Sequence, residues 1–341
     1  MSAHTAELRE IIKKFEGIQV LVLGDVMLDE YWHGAVHRIS PEAPVPVVEV
    51  DRFEVMPGGA ANVALNLRAL GAEVGLAGLC GVDAPASQLR QLVADKGIKD
   101  FLMPVRDRPT TTKTRIMGNG VQILRLDREN NQPASEELKE NILGHVRTVL
   151  RALPWQAFIF QDYDKGFLFT EVIQWVINFA IENEIPVVAD PKRRNFWCYE
   201  NVTLFKPNLR ELAEALGHSA NGLEGQAQLL EGVRFLHQKM PHTFTLVTAG
   251  ARGVYLRVGQ DFMHFPARPR YVRDVSGAGD TVAAVAALGL ATGAPPEAVA
   301  VLCNMAGGRV CEAPGVSVIT AQDLLEETAS HLPPSTILKL L

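Results

Sequence analysis

The 341-residue sequence has little cysteine, little excess charge and no long apolar run. Cys80, Cys198, Cys303 and Cys311 lie far apart without a C-x-x-C pair, which excludes a disulfide framework and a zinc ribbon. That pattern fits a reducing compartment, and a cytoplasmic location is expected. Lys and Arg number 33 against 39 Asp and Glu, a net charge of −6. This balance argues against nucleic acid or an anionic membrane surface as the main partner. No run of 18 residues is free of charge, so no segment reads as a membrane span. Nor does the opening MSAHTAELREIIKKFEG read as a signal peptide, since it has an amphipathic helical pattern. Two phosphate-binding motifs are missing as well. There is no G-x-x-x-x-G-K-[ST] loop, and Gly24-Asp25-Val26-Met27 after the first strand is not a dinucleotide-binding G-x-G-x-x-G. Internal repeats and low-complexity segments are absent.

What is present is enough apolar sequence, 47%, to fill the core of one large α/β domain. Short apolar runs at Val20–Leu23, Val74–Leu79, Phe158–Gln161, Val187–Ala189, Leu204–Phe205 and Thr245–Val247 read as buried parallel strands. Helical periodicity separates them at Gly59–Leu70, Glu137–Leu150, Thr170–Glu182, Leu209–Leu216 and Gln226–Gln238. Such alternation predicts a doubly wound, mostly parallel sheet with helices on both faces. Two stretches, residues 30–57 and 108–127, break the alternation. The second alternates polar and apolar residues around Gly118-Asn119-Gly120, a hairpin signal. Together they predict a small antiparallel β lid, built from two insertions in one domain spanning residues 1–341. Its apolar face would have no covering helix, which predicts a lid over a ligand, a dimer interface, or both.

The octapeptide Asp274-Val275-Ser276-Gly277-Ala278-Gly279-Asp280-Thr281 precedes the small-residue apolar segment Val282–Leu290. Glycines at the start of a buried helix leave free N–H groups aligned with the helix dipole, an anion site. A carboxylate there, Asp280, would repel a phosphate unless it takes a proton from an attacking hydroxyl.

These residues resemble the second signature of the ribokinase-like carbohydrate kinases, also called the phosphofructokinase-B family. Pro57-Gly58-Gly59-Ala60-Ala61-Asn62-Val63-Ala64 resembles the first signature, and Lys206-Pro207-Asn208-Leu209-Arg210-Glu211 the Asn-x-x-Glu element. The resemblance runs over residues 17–330. Within the family, Gly24–Trp32, Arg38–Val47 and Asp190-Pro191-Lys192 are similar to the heptose 7-phosphate kinase branch.

The resemblance implies phosphoryl transfer from MgATP to the anomeric hydroxyl of D-glycero-β-D-manno-heptose 7-phosphate, for lipopolysaccharide core heptose. Asp280 then matches the catalytic base, and Gly277, Ala278 and Gly279 the anion hole. Asn208 and Glu211 match the element that organises Mg²⁺ through water, although their spacing equally suits a capped helix start. Asp25, Asp29, Gly58, Gly59 and Asn62 match the sugar-binding positions. Read alone, Asp25 is also a turn residue at a strand end. Lys165 and Lys192, with Arg38, Lys113 or Arg115 from the lid, are the cations implied for the remote phosphate. Thr248, Gly250, Gly253 and Asn304 match the nucleotide groove. Asp274 and Ser276, with the 313–317 loop, resemble a monovalent-cation site, so potassium is a further expected cofactor. Some heptose kinases continue into an adenylyltransferase. The chain stops soon after the helix at Asp323–Ser330, so that activity is expected from another polypeptide. A homodimer through the lid sheets is expected. The rival readings are a kinase of the same family for another phosphosugar or a nucleoside, and a non-catalytic sugar or nucleotide sensor.

Overall fold

The apolar runs form the parallel centre of a ten-stranded sheet in the computed structural model, which describes residues 3–219, 222–223, 225–313, 315–330 and 336–338. The first half of the chain contributes α1 (Ala3–Lys13), β1 (Gln19–Gly24), β2 (Val26–Ile39), β3 (Pro46–Gly59), α2 (Ala60–Ala69), β4 (Glu73–Cys80), α3 (Ala84–Asp95), β5 (Lys99–Pro104), β6 (Thr111–Gly118), β7 (Val121–Arg128) and α4 (Glu136–Leu150). β8 (Ala157–Gln161), α5 (Thr170–Glu182), β9 (Val187–Asp190), β10 (Leu204–Phe205), α6 (Leu209–Ala215), α7 (Gln226–Lys239) and β11 (Phe244–Thr248) follow. The chain continues through β12 (Val254–Val258), β13 (Asp261–Phe265), α8 (Ala278–Ala291), α9 (Pro296–Val310), α10 (Ala321–Ser330) and β14 (Thr336–Leu338).

The main sheet runs β14-β13-β12-β11-β10-β9-β8-β1-β4-β5. Its strands are parallel from β5 to β11, and β12, β13 and β14 extend it antiparallel. Alternate residues of each strand feed two cores, as a sheet covered on both faces requires. One core joins Val20, Val22, Val74 and Leu76 to α1, α2, α3, α8, α9 and α10. The other joins Leu21, Leu23, Phe158 and Phe160 to α4, α5, α6 and α7. Helix α8 explains its own composition. It is buried on every side, and Gly289 admits Val299 of α9 so closely that a Cβ would lie 2.9 Å from it. Only small residues allow that approach.

The second sheet has four strands in the order β3-β2-β6-β7. Its outer pairs are antiparallel, as expected, while the central pair β2–β6 runs parallel. Asn119 (φ 53°) and Gly120 (φ 81°) form the β6–β7 turn in the left-handed region, which the predicted Gly-Asn-Gly hairpin required. Cross-strand register sorts the two faces. Phe53, Trp32, Ile116 and Leu124 stand side by side on one, and Glu54, Tyr31, Arg115 and Arg125 on the other. Trp32, Phe53 and Leu124 are exposed.

Candidate active site

The carboxyl ends of β1, β8, β9 and β10 converge under the N-terminus of α8, where open α/β sheets place their ligands. Gly277 caps α8 with φ 79°, and a Cβ there would lie 2.9 Å from the Asn62 amide. Glycine is therefore demanded twice, by the dihedral and by the space. The cap brings Asp280 into the first turn, 5% exposed. Its Oδ2 accepts from Asn62 Nδ2 at 2.7 Å, and its Oδ1 from Gln161 Nε2 at 3.0 Å and Tyr163 O–H at 3.1 Å. Burial raises its pKa to about 7; Asn62 opposes this, Asp190 adds to it, and Tyr163 and Lys206 oppose it. A carboxyl tuned to neutrality at a helix N-terminus can exchange a proton with a hydroxyl.

Four residues with no role read from the sequence complete this centre: Gln161, Tyr163, Asp190 and Lys206. Lys206 pairs with Asp190 at 2.9 Å, and both are buried. Gln161 Nε2 also reaches Asp190 Oδ2 at 3.2 Å, so one amide bridges two carboxylates. Asp190 and Lys206 stand in strings that carry the family resemblance, and all four stand at or just past the end of a strand.

Asn208 and Glu211 make a reciprocal capping box at the start of α6. Asn208 Oδ1 accepts from Glu211 N at 2.8 Å, and Glu211 Oε2 from Asn208 N at 2.9 Å. Lys192 ion-pairs with the other Glu211 oxygen and lies 5.3 Å from the Tyr163 ring centroid. It was expected at a remote phosphate, but the structure sets it beside Glu211, Asp190 and Asp280. Among the described residues no three His, Cys, Asp or Glu side chains converge as a direct metal cage. Mg²⁺ keeps most of its waters, so this amide and carboxylate suit an ion held through its hydration shell.

Asp25 and Asp29 flank the other side. Asp25 is buried, and its Oδ2 accepts backbone N–H groups of Tyr163 at 2.8 Å and Lys165 at 3.0 Å. Burial, then the charge of Asp162, push its pKa up against these amides. Asp25 thus first anchors the 163–167 loop, as a turn residue would, beside any hold on a sugar. Asp29 takes Arg115 Nη1 at 2.5 Å. A side chain at Gly58 would overlap the Asp29 carboxylate, and one at Gly59 (φ 58°) would meet the Asp25 carbonyl. Lys165 reaches Glu129 at 2.8 Å, and Lys113 the same carboxylate at 3.4 Å. Despite partial burial, Lys165 and its neighbours hold Glu129 down at about 2. Arg38 stands apart on the distal part of β2, exposed and 3.8 Å from Glu49.

On the far side of Gly277, Thr248, Gly250, Gly253 and Asn304 line one cavity of about 510 Å³. Its walls are largely apolar, with Val254, Val272, Val282 and Met305 among them, as a flat heteroaromatic base requires. Asn304 Nδ2 donates to Pro266 O at 2.9 Å, fixing one wall. Asp274 accepts from Ser276 N at 2.9 Å and Gly315 N at 3.1 Å, which ties Gly315 to the segment leading into α8.

A cavity beside a glycine-capped helix start, with a buried carboxyl raised toward neutrality in its first turn, has the parts that phosphoryl transfer needs. The model of the pfkB family carbohydrate kinases matches residues 18–322, and the chain belongs to that family. It is an ATP-dependent carbohydrate kinase. The chain is 42% identical over 316 residues to the bifunctional protein HldE of Pseudomonas entomophila, covering 91% of the chain and 64% of that protein. A homologue of the same name from Stutzerimonas stutzeri is 41% identical over the same shares. The chain therefore spans less than two thirds of the length of these curated relatives. Escherichia coli phosphofructokinase-2 in complex with potassium superposes with a TM-score of 0.76 at 19% identity, over 92% of this chain and 98% of that one. Arabidopsis thaliana ribokinase complexed with ribose and ATP gives 0.69 at 18% identity, over 92% of this chain and 99% of that one.

Proposed function

We propose that the chain transfers the γ-phosphoryl group of ATP to the anomeric O1 of D-glycero-β-D-manno-heptose 7-phosphate, giving the 1,7-bisphosphate. The observation that carries this is the neutral-range carboxyl of Asp280 at the amide-lined start of α8. The resemblance of Gly24–Trp32 and Arg38–Val47 to heptose kinases and the similarity to HldE support the substrate. Asp280 takes the O1–H proton as O1 bonds to the γ-phosphorus, and the bond to the β-phosphate oxygen breaks to release ADP. The N–H groups of Ala278 and Gly279, with Lys206 and Lys192, face the charge that grows on the transferring oxygens. Asp29, Gly58, Gly59 and Asn62 orient the sugar. Lys165 and Arg115, the half-buried cations near Asp25 and Asp29, hold the 7-phosphate, whereas Lys192 serves the transfer side. Asn208 and Glu211 would hold Mg²⁺ through its water shell, and the ion would supply charge neutralisation for the phosphates. Asp274 and Ser276 are the place for a potassium ion.

The second sheet turns its polar face, with Asp29 and Arg115, toward the cleft and leaves Phe53, Trp32 and Leu124 for a second copy of the chain. The product suits a cytoplasmic route to lipopolysaccharide core heptose. Incubation with MgATP and a panel holding the heptose 7-phosphate, fructose phosphates, ribose and nucleosides decides the substrate by ADP release. The heptose phosphate is expected to turn over fastest and to gain its phosphate at O1 by ³¹P NMR. Preferred turnover of another member of the panel overturns the assignment, and no turnover of any favours a sensor.

A further inference from the structure

We propose that Tyr163 and Gln161 are positioning residues for Asp280, jointly filling its Oδ1 and leaving Oδ2 as the oxygen that accepts the substrate proton. This rests on the reading of Asp280 as the base. A carboxylate oxygen offers about two acceptor positions. On Oδ1 both are taken, by Gln161 Nε2 at 3.0 Å and Tyr163 O–H at 3.1 Å. On Oδ2 the one donor among the described residues is Asn62 Nδ2, at 2.7 Å, which leaves a position for the substrate hydroxyl.

Both donors are themselves held. Gln161 is 1% exposed at the end of β8, in register with Gly24 of β1 and Asp190 of β9. Its Nε2 is drawn between two carboxylates, which orients the amide. Tyr163 is pinned through its backbone N–H to Asp25 and by the Lys192 ammonium 5.3 Å from its ring centroid. The charged groups facing Asp280 are Asp190 from β9, Lys206 after β10, and Lys192. The two donors add a preference that these charges lack: they act on one oxygen and so fix the plane of the carboxylate.

The test uses the whole protein labelled with ¹³C-aspartate, with the Asp280 signal assigned by its loss in Asp280→Asn. Tyr163→Phe removes one donor without altering the ring. A hydrogen bond to a charged acceptor is lost, so the Asp280 titration midpoint is expected to rise by about one pH unit. Turnover at pH 7 should then fall roughly fivefold and recover at pH 9, with KM for ATP unchanged. Gln161→Leu should move the midpoint the same way. Unchanged midpoints in both variants overturn the proposal. So does a loss of turnover that high pH does not restore. The titration needs no substrate, so failure of the wild type on every phosphosugar would sink the proposed function alone.

Discussion

Asp280 shows how much a single side chain depends on its surroundings. Burial raises its pKa to about 7, while Asn62, Tyr163 and Lys206 keep the charged form within reach. A general base must be ionised in the free enzyme, so kcat/KM should climb as pH rises through about 7. In Asp280→Asn that limb should vanish and kcat should fall by roughly 10² to 10⁴, with the far-UV spectrum unchanged. A pH profile flat from 5 to 9 in the wild type, or near-normal turnover in the variant, would contradict the role. Asp280 was legible in the sequence because glycines and a carboxylate at a helix start form a local pattern. Gln161, Asp190 and Lys206 were not, because the sheet order that brings β8, β9 and β10 together is not local. The placing of Lys192 beside Glu211 of α6 was hidden for the same reason.

At the scale of elements, the proposed ion site shares its residues with the start of α6. Its capping box uses Asn208 and Glu211, the pair that suits a hydrated Mg²⁺. Asn208→Ala should lower the unfolding free energy by about 1 kcal/mol, and Asn208→Ser should recover most of it. Both should raise the Mg²⁺ concentration needed for half-maximal turnover, since neither keeps the amide oxygen. Thermal unfolding and a Mg²⁺ titration separate the two effects, and an unaltered Mg²⁺ requirement would leave Asn208 as a cap alone. Six of the seven parallel strands were legible because each is an almost wholly buried apolar run, whereas the edge strand β5, with Lys99 and Asp100 exposed, has no such run. The hairpin β12–β13 was not read, since an antiparallel extension is not implied by strand–helix alternation. The parallel pairing of β2 with β6 was equally hidden. Three strands and two helices lie between its partners or beside them in sequence, and the hairpin signals speak only for neighbours.

For the whole molecule, the second sheet poses the main question. Its strands carry a cross-strand apolar row, Phe53, Trp32, Ile116 and Leu124, on the face away from Asp29 and Arg115. An uncovered face of this kind marks an interface. Light scattering is expected to give a dimer for the wild type, and a monomer for a variant with Phe53→Glu and Leu124→Lys. A wild-type monomer at micromolar concentration would refute the arrangement. Between β1 of the main sheet and β2 of the second lies one residue, Asp25, and β3 passes directly into α2 at Gly59. On its β2–β3 side the outer sheet is thus joined to the main one with no slack, so a substitution at Asp25 or Gly59 is felt in both sheets at once.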